Sequence, residues 1–247
     1  MQLHIFPDDA AMARAVALRI TKLVAAKPAA VLGLPTGRTP VQLYAHLRDL
    51  AARGKLDFSQ VTTFNLDEFY GLPANHPASY RSFMEEHLFQ HVNLNRKRIH
   101  FLDGKDRDAA RECRRYEAAI ARAGGIDLQI LGIGTNGHIG FNEPAPGLQS
   151  STHLARLKPE TRHSNANLFD GRVAAVPKEA LSMGVGTILR ARAVILMANG
   201  GGKADAVKAT VEGQVTTRMP ASLLQLHRHV ELILDQAAAS KLRARER

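Results

Sequence analysis

The segment DLQILGIGTNGHIGFNEP, residues 127–144, joins an apolar run to a glycine-rich loop and decides how the chain folds. Its first half, DLQILGIG (127–134), is short and almost wholly apolar, which predicts a buried β-strand. The loop has a G-x-G-x-x-G pattern at residues 132–137, which in a dinucleotide-binding protein would open a helix. Here Gly140 and Pro144 follow at once and forbid a continuous helix, so the nicotinamide interpretation fails.

Apolar runs of the same kind recur along the chain and alternate with helical patterns. They are LHIF (3–6), AAVLGLP (29–35), VTTFNL (61–66), AVILMANGG (193–201) and VELILD (230–235). Fully apolar strands separated by amphipathic helices are typical of a parallel sheet covered on both faces. The sequence therefore predicts an α/β fold with an open, mostly parallel, Rossmann-like sheet. Since it contains no repeat or low-complexity linker, we expect residues 1–247 to form one domain.

Helix boundaries are indicated by capping residues and by proline. Asp8 or Asp9 is placed to cap the first helix, and Pro40 suits the first position of the second. A third helix is predicted from about Ser79, closing with LFQHV (88–92). Two more helices follow the last two apolar runs, and the final one is rich in alanine.

The chain is basic, with a formal charge of +10 from 33 Lys+Arg and 23 Asp+Glu. The basic residues are dispersed, and their densest cluster is LRARER at residues 242–247. There is no tryptophan and there are few tyrosines to stack on bases, and no zinc or RNA-binding signature occurs. We therefore expect no nucleic-acid partner and interpret the charge as attraction for small anionic substrates.

The single cysteine, Cys113, excludes a disulfide framework and a cysteine-based metal site. This cysteine usage fits a reducing compartment. Residues 1–16 lack the apolar run of a signal peptide, and no stretch approaches the roughly 20 apolar residues that span a bilayer. We therefore expect a cytoplasmic protein without a membrane partner.

Residues 144–177 differ from the rest of the chain. They are polar, contain Pro, Gly and Ser, and lack long apolar periodicity. A stretch of this length inside a compact domain is more often functional than idle. We interpret it as a lid over a substrate site.

Polar residues follow four of the predicted strands at the ends where ligands bind in open parallel sheets. These segments are LGLPTGRTP (32–40), FNLDEF (64–69), GIGTNGHIGFNEP (132–144) and NGGGKADAV (199–207). The first leads into a helix N-terminus, whose backbone N–H groups and dipole favour an anion such as phosphate. It is not a P-loop, because the Lys-Ser/Thr pair is missing.

Acid–base residues occur in the second and third segments. Asp67 either caps a turn or, partly desolvated at the strand end, serves as a general base, while Glu68 could face solvent. The third segment presents Asn136, His138 and Glu143 on one loop. A histidine beside an amide and a carboxylate at the mouth of a sheet is suited to proton transfer.

Two cationic residues are candidates for an anion site. Lys203 follows three glycines and begins a helix, although a solvated surface lysine would have the same pattern. Arg162 lies in the predicted lid and could bind a phosphate bidentately.

Together these segments resemble the glucosamine-6-phosphate deaminase family from about residue 30 to residue 235. The motifs that carry the resemblance, in the family's order, are LGLPTGRTP, FNLDEFYGLP, HPASYRSFM, GIGTNGHIGFNEP, ALSMGVGTIL and PASLLQLH. The resemblance implies the fold shared by deaminases and 6-phosphogluconolactonases. It also implies conversion of glucosamine 6-phosphate to fructose 6-phosphate and ammonia, in amino-sugar catabolism, without a metal or organic cofactor.

The resemblance also implies roles for individual residues. Asp67 matches the base that moves a proton between C2 and C1, His138 matches the residue that opens the sugar ring, and Glu143 belongs to its relay. The matching phosphate contacts are Thr36, Gly37, Arg38, Thr39, Arg162 and Lys203. Members of the family range from monomers to hexamers, so a homo-oligomer is left open.

Two departures from the family pattern affect mechanism and regulation. Some members have Asp where this chain has Asn136, which can orient His138 but cannot stabilise an imidazolium by charge. Activated members bind an N-acetylated sugar phosphate with polar and basic residues after FNEP and near an extended C-terminus. This chain has Pro146, His153 and Ala155 after FNEP, and it ends soon after its last predicted helix. We expect hyperbolic kinetics without that activation.

Three alternatives stay open. A 6-phosphogluconolactonase shares the fold, but resembles this chain less because it is expected to lack FNEP and typically has an arginine soon after the acidic pair, where this chain has Phe69. A deaminase for galactosamine 6-phosphate would differ at one hydroxyl. A sugar-phosphate sensor would normally carry an N-terminal helix-turn-helix, whereas this chain begins with its first predicted strand.

Overall fold

The computed structural model describes residues 1–243, so residues 244–247 of the basic LRARER cluster lie outside the described residues. The main sheet has seven strands in the order β1-β10-β9-β6-β2-β3-β5, and all neighbours pair in parallel. The predicted open parallel sheet is confirmed. Within the described residues the strands are β1 (Gln2–Phe6), β2 (Val31–Leu34), β3 (Thr62–Asn65), β4 (Asp67–Phe69), β5 (Ile99–His100), β6 (Leu128–Leu131), β7 (His153–Arg156), β8 (Glu179–Ser182), β9 (Ala193–Ala198) and β10 (Val230–Asp235).

Helices cover both faces of the main sheet, as the apolar strands predict. Leu32 and Leu34 of β2 belong to a core with the first three helices, whereas Val31 belongs to a core with the later ones. This alternation places successive side chains of a buried strand in opposite cores. The helices of the described residues are α1 (Asp9–Ala26), α2 (Val41–Ala52), α3 (Tyr80–His87), α4 (Ala109–Arg122), α5 (Pro159–Ser164), α6 (Val185–Leu189), α7 (Ala204–Glu212) and α8 (Gln236–Ala239).

The predicted helix boundaries hold with small shifts. Asp8 caps α1 by accepting a hydrogen bond from the Ala11 N–H, while Pro40 occupies the N-cap of α2 instead of its first position. The prediction that α3 closes with LFQHV is wrong, since α3 ends at His87 and residues 89–91 form a 3₁₀ turn. Phe89 is buried in the core that contains Leu32, Leu34 and the first three helices. This packing accounts for the early end of α3, because tertiary packing overrides helix propensity.

A second, antiparallel sheet of three strands, in the order β4-β8-β7, was not predicted. Only Leu66 separates β3 from β4, so the acidic pair lies on a strand of its own. A third apolar cluster includes Phe69, Phe141 and Phe169. The predicted lid, residues 144–177, therefore contributes β7, α5 and Phe169 to ordered structure packed beside the main sheet.

The chain reverses its direction of travel across the main sheet between β2 and β6. From β2 it continues outward through β3 to β5, and from β6 it continues the other way through β9 and β10. The loops that leave β2 and β6 therefore diverge and open a crevice at the carboxyl ends of the strands. This topological switch point is where ligands bind in open α/β sheets.

No helix among the described residues has the length and apolar character needed to cross a membrane.

Candidate active site

Asp67 is the buried acid of the crevice. Its side chain belongs to a residue only 7% exposed, and no hydrogen bond to its carboxylate forms within residues 1–243. Burial and, after it, the negative charge of Glu68 raise the pKa of Asp67 to about 8. A carboxylate that caps a turn would accept N–H groups, so the capping interpretation lacks its contacts. The general-base interpretation stays a prediction, and the burial fits it.

Gly140 brings the glycine-rich loop against Asp67. A methyl group placed on Gly140 would lie 3.5 Å from Oδ2 of Asp67 and 3.1 Å from Oγ of Ser182. The backbone of Gly140 has φ of +55°, a left-handed conformation. A glycine at this point therefore lets the loop pass close to the buried carboxyl. The two predicted acid–base segments consequently share one side of the crevice.

The glycine-rich loop is a compact turn that folds back so that His138 lies against Gly134, near the beginning of the loop. The Gly134 N–H donates to the His138 carbonyl at 2.9 Å, and a Cβ on Gly134 would overlap the His138 imidazole. Gly137, with φ of +85°, makes the reversal possible. The loop forms no helix, as the sequence predicts. Its glycines make room for the imidazole instead of holding a dinucleotide.

Asn136 links His138 to Glu143. Its Nδ2 donates to Oε2 of Glu143 at 2.9 Å, while its Oδ1 accepts from the His138 backbone N–H at 3.1 Å and lies 2.7 Å from Nδ1. Since a carboxylate only accepts and a backbone N–H only donates, these contacts fix the orientation of the amide. The proton of a neutral His138 is then on Nδ1, which leaves Nε2 to accept or return a proton.

Glu143 holds the relay as a buried anion. Burial raises the pKa of this carboxyl, but the His138 imidazole, 3.6 Å away, and hydrogen bonds from Thr161 and Asn136 outweigh it and lower the pKa to about 2. The ionised Glu143 therefore orients the amide of Asn136, and that amide in turn orients the imidazole of His138. The negative charge near the imidazole comes from Glu143 rather than from residue 136.

Thr161 is a site residue that the sequence analysis missed. Its hydroxyl, on α5, donates to Oε1 of Glu143, and the residue is buried. Lys158 donates to the Pro144 carbonyl at 2.6 Å. Both contacts join the predicted lid to the FNEP segment. The only signal in the sequence was the KPETRHSN stretch, where Arg162 drew attention and the adjacent threonine did not.

The predicted phosphate contacts from β2 and β9 come together. Thr39 donates its hydroxyl to Oδ1 of Asn199 at 2.8 Å, which joins the two strand-end loops. Burial and, after it, the nearby positive charge of Arg38 lower the pKa of Lys203. Lys203 is half-buried and Arg38 is exposed, and an anion beside them would offset the repulsion between their positive charges. Gly37 adopts φ of +96° and turns the Thr36–Thr39 loop.

Arg162 makes a different set of contacts. Its Nε and Nη2 donate to the carbonyls of Val173 and Val176 at 2.9 to 3.2 Å. The guanidinium thus ties together two parts of the predicted lid. A bidentate contact with phosphate, which the sequence predicts, would require some of these bonds to be released.

Glu68 does not face solvent, so that interpretation is wrong. The residue is 2% exposed, and its carboxylate accepts hydrogen bonds from three backbone N–H groups. No cluster of three or more histidine, cysteine or acidic side chains within residues 1–243 is arranged to hold a metal ion.

Comparison with known proteins agrees with this architecture. Residues 8–234 match the family model described as glucosamine-6-phosphate isomerases/6-phosphogluconolactonase. The chain belongs to this family.

Individual members of the isomerase/lactonase family show where the likeness is strongest. The chain is 52% identical over 242 residues to a glucosamine-6-phosphate deaminase of Halothermothrix orenii, covering 98% of this chain and 100% of the relative. A solved monomeric glucosamine-6-phosphate deaminase superposes with a TM-score of 0.94 at 40% identity, covering 97% and 99% of the two chains. The 6-phosphogluconolactonase of Trypanosoma brucei has a TM-score of 0.75 at 20% identity, covering 98% of each chain, and shows the shared fold alone.

The variant Asp67→Asn tests whether Asp67 is a buried ionisable acid, through the pH dependence of the free energy of unfolding. The pKa of Asp67 is about 8 in the folded protein and 3.8 in its ordinary environment, so between these values the folded state holds a proton that the unfolded chain has released. The stability of the wild type therefore falls as pH rises through this window. Asparagine does not ionise, so we expect the variant to be more stable than the wild type at pH 8, by more than about 1.4 kcal/mol, with little difference at pH 4.

Urea denaturation at several pH values measures this difference, and Asp57→Asn is the matched control. Asp57 is exposed, and hydrogen bonds from the Ser59 backbone and from Asn93 lower its pKa. Its loss is therefore expected to bring no gain at pH 8. Equal stability of Asp67→Asn and the wild type at pH 8 would contradict the burial of an ionisable acid.

Proposed function

We propose that this chain is a glucosamine-6-phosphate deaminase, which converts glucosamine 6-phosphate to fructose 6-phosphate and ammonia. The observation that carries the proposal is the approach of the buried Asp67 carboxyl to the loop of the Asn136–His138–Glu143 relay, with Gly140 between them. The full-length similarity to a protein named glucosamine-6-phosphate deaminase agrees with it. The enzyme is thus an isomerising aminohydrolase.

Ring opening is the task of the relay. The C1–O5 bond of the sugar breaks while the O1 hydroxyl loses a proton and O5 gains one. His138 can exchange both protons at Nε2, because its Nδ1 is held by Oδ1 of Asn136 at 2.7 Å. The ionised Glu143 lies 3.6 Å from Nδ1 and stabilises the imidazolium that forms in between.

Asp67 then moves a proton from C2 to C1. As carboxylate it removes the C2 hydrogen, which leaves an enolamine with a double bond between C1 and C2. As carboxylic acid it returns the proton to C1, and C2 becomes an imine. Water adds to the imine carbon, and the carbinolamine collapses to the ketone and ammonia. No external oxidant or reductant is needed, since C1 is reduced as C2 is oxidised.

The substrate phosphate is proposed to bind at the joined loops of β2 and β9. Thr36 to Thr39 offer hydroxyl and backbone groups there, and Arg38 and Lys203 offer charge. Binding energy from a phosphate remote from the reacting carbons positions C1 and C2 against the acid–base groups. A free sugar without phosphate is therefore expected to react poorly.

We expect the reaction to serve amino-sugar catabolism in the cytoplasm, with a small phosphosugar as the partner. One solved relative is monomeric. The oligomeric state of this chain is left to measurement. The two cores on one main sheet fit a single domain, which is the organisation that we propose for residues 1–247.

Activity assays on three substrates in parallel distinguish the proposed function from its alternatives. Purified protein is expected to release ammonia from glucosamine 6-phosphate, and Asp67→Asn to reduce that rate on the order of 10²- to 10⁴-fold, the usual contribution of a general base. Hydrolysis of 6-phosphogluconolactone without ammonia release would favour the lactonase. Faster ammonia release from galactosamine 6-phosphate than from glucosamine 6-phosphate would favour a galactosamine-6-phosphate deaminase. No activity on any of the three substrates would favour a sugar-phosphate sensor.

Lys203→Ala and Arg38→Ala test the phosphate site. Each is expected to raise KM for glucosamine 6-phosphate roughly 10- to 100-fold, because a charge-assisted hydrogen bond contributes about 1.5–3 kcal/mol. Each should weaken inhibition by inorganic phosphate in parallel. The matched control is Lys208→Ala, which removes a lysine from within α7, the helix that Lys203 precedes as its N-cap. Unchanged phosphate inhibition in both site variants would contradict the assignment, and the same measurement on Arg162→Ala decides whether Arg162 contacts the phosphate.

Residues 144–177 are proposed to close over the bound substrate as a lid. The Thr161–Glu143 contact supports the proposal, because it connects the segment directly to the relay. Hydrogen exchange with and without fructose 6-phosphate tests it. We expect slower exchange at residues 153–176 and no change in α4, and unchanged exchange in the segment at saturating product would contradict a lid.

A further inference from the structure

Glu68 is a buried acid for which the reaction scheme above has no use. It follows Asp67 directly on β4 and is less exposed than Asp67 itself. Its Oε1 accepts from the N–H groups of Phe69 at 2.8 Å and Tyr80 at 2.9 Å, and its Oε2 accepts from that of Arg81 at 2.9 Å. A buried carboxylate with three backbone donors is a built feature of the fold.

The donors belong largely to the first turn of α3. Tyr80 and Arg81 are the first two residues of that helix, and Ser79 caps it by accepting from the Ser82 N–H. Glu68 thus completes the cap from a strand 12 and 13 residues away in the chain. Helix N-termini carry a partial positive charge that favours an anion. Strand β4 is therefore fastened to α3 through the Glu68 carboxylate.

Successive residues of a strand point to opposite sides. Since Glu68 is turned toward α3, Asp67 is turned toward Gly140 and the relay loop. On the neighbouring strand β8, Asp67 pairs with Ser182 and Glu68 with Leu181. Any displacement of Glu68 from the helix would therefore move Asp67 in the crevice.

We propose that Glu68 is a positioning residue for Asp67, which fixes strand β4 to helix α3 and keeps a second buried carboxyl group beside the base. This inference rests on the proposed function in that it takes Asp67 as the group that moves the proton. It extends that function by naming a residue that holds the base in place and adds to the effect of burial on its proton affinity.

The reaction explains why such a neighbour is useful. Asp67 must take the C2 proton as a base and return it to C1 as an acid, and this double task is performed best by a group whose pKa lies near the working pH. An exposed aspartate would be too weak a base. Burial is the main cause that raises the pKa of Asp67, and the charge of Glu68 is the second.

The remaining ionisable groups around the pair leave this coupling in place. Burial raises the pKa of the neighbouring tyrosines well above the usual value, so they stay neutral. Burial also raises the pKa of Glu68 to about 7, although its backbone hydrogen bonds and the charge of Arg81 act in the opposite direction. Gly140 and Ser182 approach Asp67 but do not ionise. The groups that face the pair are Tyr44 of α2, Tyr80 and Arg81 of α3, and Tyr116 of α4.

Glu68→Gln is the variant that tests the proposal. The amide keeps the shape of the side chain and one oxygen for the Phe69 and Tyr80 N–H groups, but it removes the charge and one acceptor. We expect the carboxyl resonance of Asp67, followed by ¹³C NMR in protein labelled at aspartate, to titrate roughly one pH unit lower than in the wild type. The acidic limb of the kcat–pH profile should move the same way, with KM changed less than twofold.

Two further variants separate charge from structure. Glu68→Asp keeps the charge and is expected to retain the high titration of Asp67 while losing part of kcat, because its carboxylate reaches α3 less well. Glu112→Gln is the matched control: Glu112 is also buried and accepts a backbone N–H, from Asp103 at 2.7 Å, but belongs to α4. It should leave the Asp67 titration unchanged. Wild-type titration of Asp67 in folded Glu68→Gln would overturn the proposal.

Titration of the wild-type protein tests the coupling of Asp67 and Glu68 without the risk that a substitution disturbs folding. Two coupled acids release their protons in steps that belong to the pair. The Asp67 resonance is therefore expected to show a second inflection at the pH where a ¹³C-labelled Glu68 titrates, and a single inflection near the ordinary aspartate value would overturn the proposal. These titrations need no turnover, so absence of ammonia release would refute the proposed function while leaving the measurement of the coupling valid.

Discussion

A carboxylic acid buried beside a second acid is the constraint on which the site depends. Asp67 has no cation among the causes that set its pKa, so desolvation works against its charge without compensation. The surrounding structure has to tolerate that cost. Strand β4 is held by β8 on one edge, α3 is capped by Glu68, and the relay loop passes beside Asp67 at Gly140. Proteins commonly give up stability at an active site in this way.

The relay solves the opposite problem, since its acid has to stay ionised. Glu143 is nearly as buried as Asp67, yet Thr161, Asn136 and the imidazole of His138 lower its pKa to about 2. Hydrogen-bond donors and the imidazole therefore keep one acid ionised, whereas burial raises the pKa of the other, which accepts no hydrogen bond among the described residues. A carboxyl group is thus a fixed anion at Glu143 and a titratable base at Asp67, 76 residues earlier in the chain.

Much of this could be predicted from the sequence, and the gaps have physical causes. The long strands β9 and β10 can be predicted from the sequence because each is buried on both faces and is therefore almost wholly apolar. Strand β5 has only two residues, and β7 has a mixed burial pattern, so neither produces a periodic signal. The Thr161–Glu143 contact joins residues 18 apart through tertiary packing, which residue spacing does not encode. The contacts of Arg162 could not be predicted for the same reason, because nothing local in the sequence reveals that the carbonyls of Val173 and Val176 lie within its reach.

The cations of the proposed phosphate site and the buried acid follow different strands of the main sheet. Arg38 and Lys203 leave β2 and β9, on either side of β6, whereas Asp67 lies on β4 beyond the end of β3. A cation within about 4–6 Å would lower the pKa of an aspartate by 1–3 units and so weaken it as a base. Neither Arg38 nor Lys203 is among the groups that act on the pKa of Asp67. A substrate that carries its phosphate at C6 and reacts at C1 and C2 has the same separation built into its own skeleton. The proposed phosphate site and the proposed base would therefore act at different ends of the substrate.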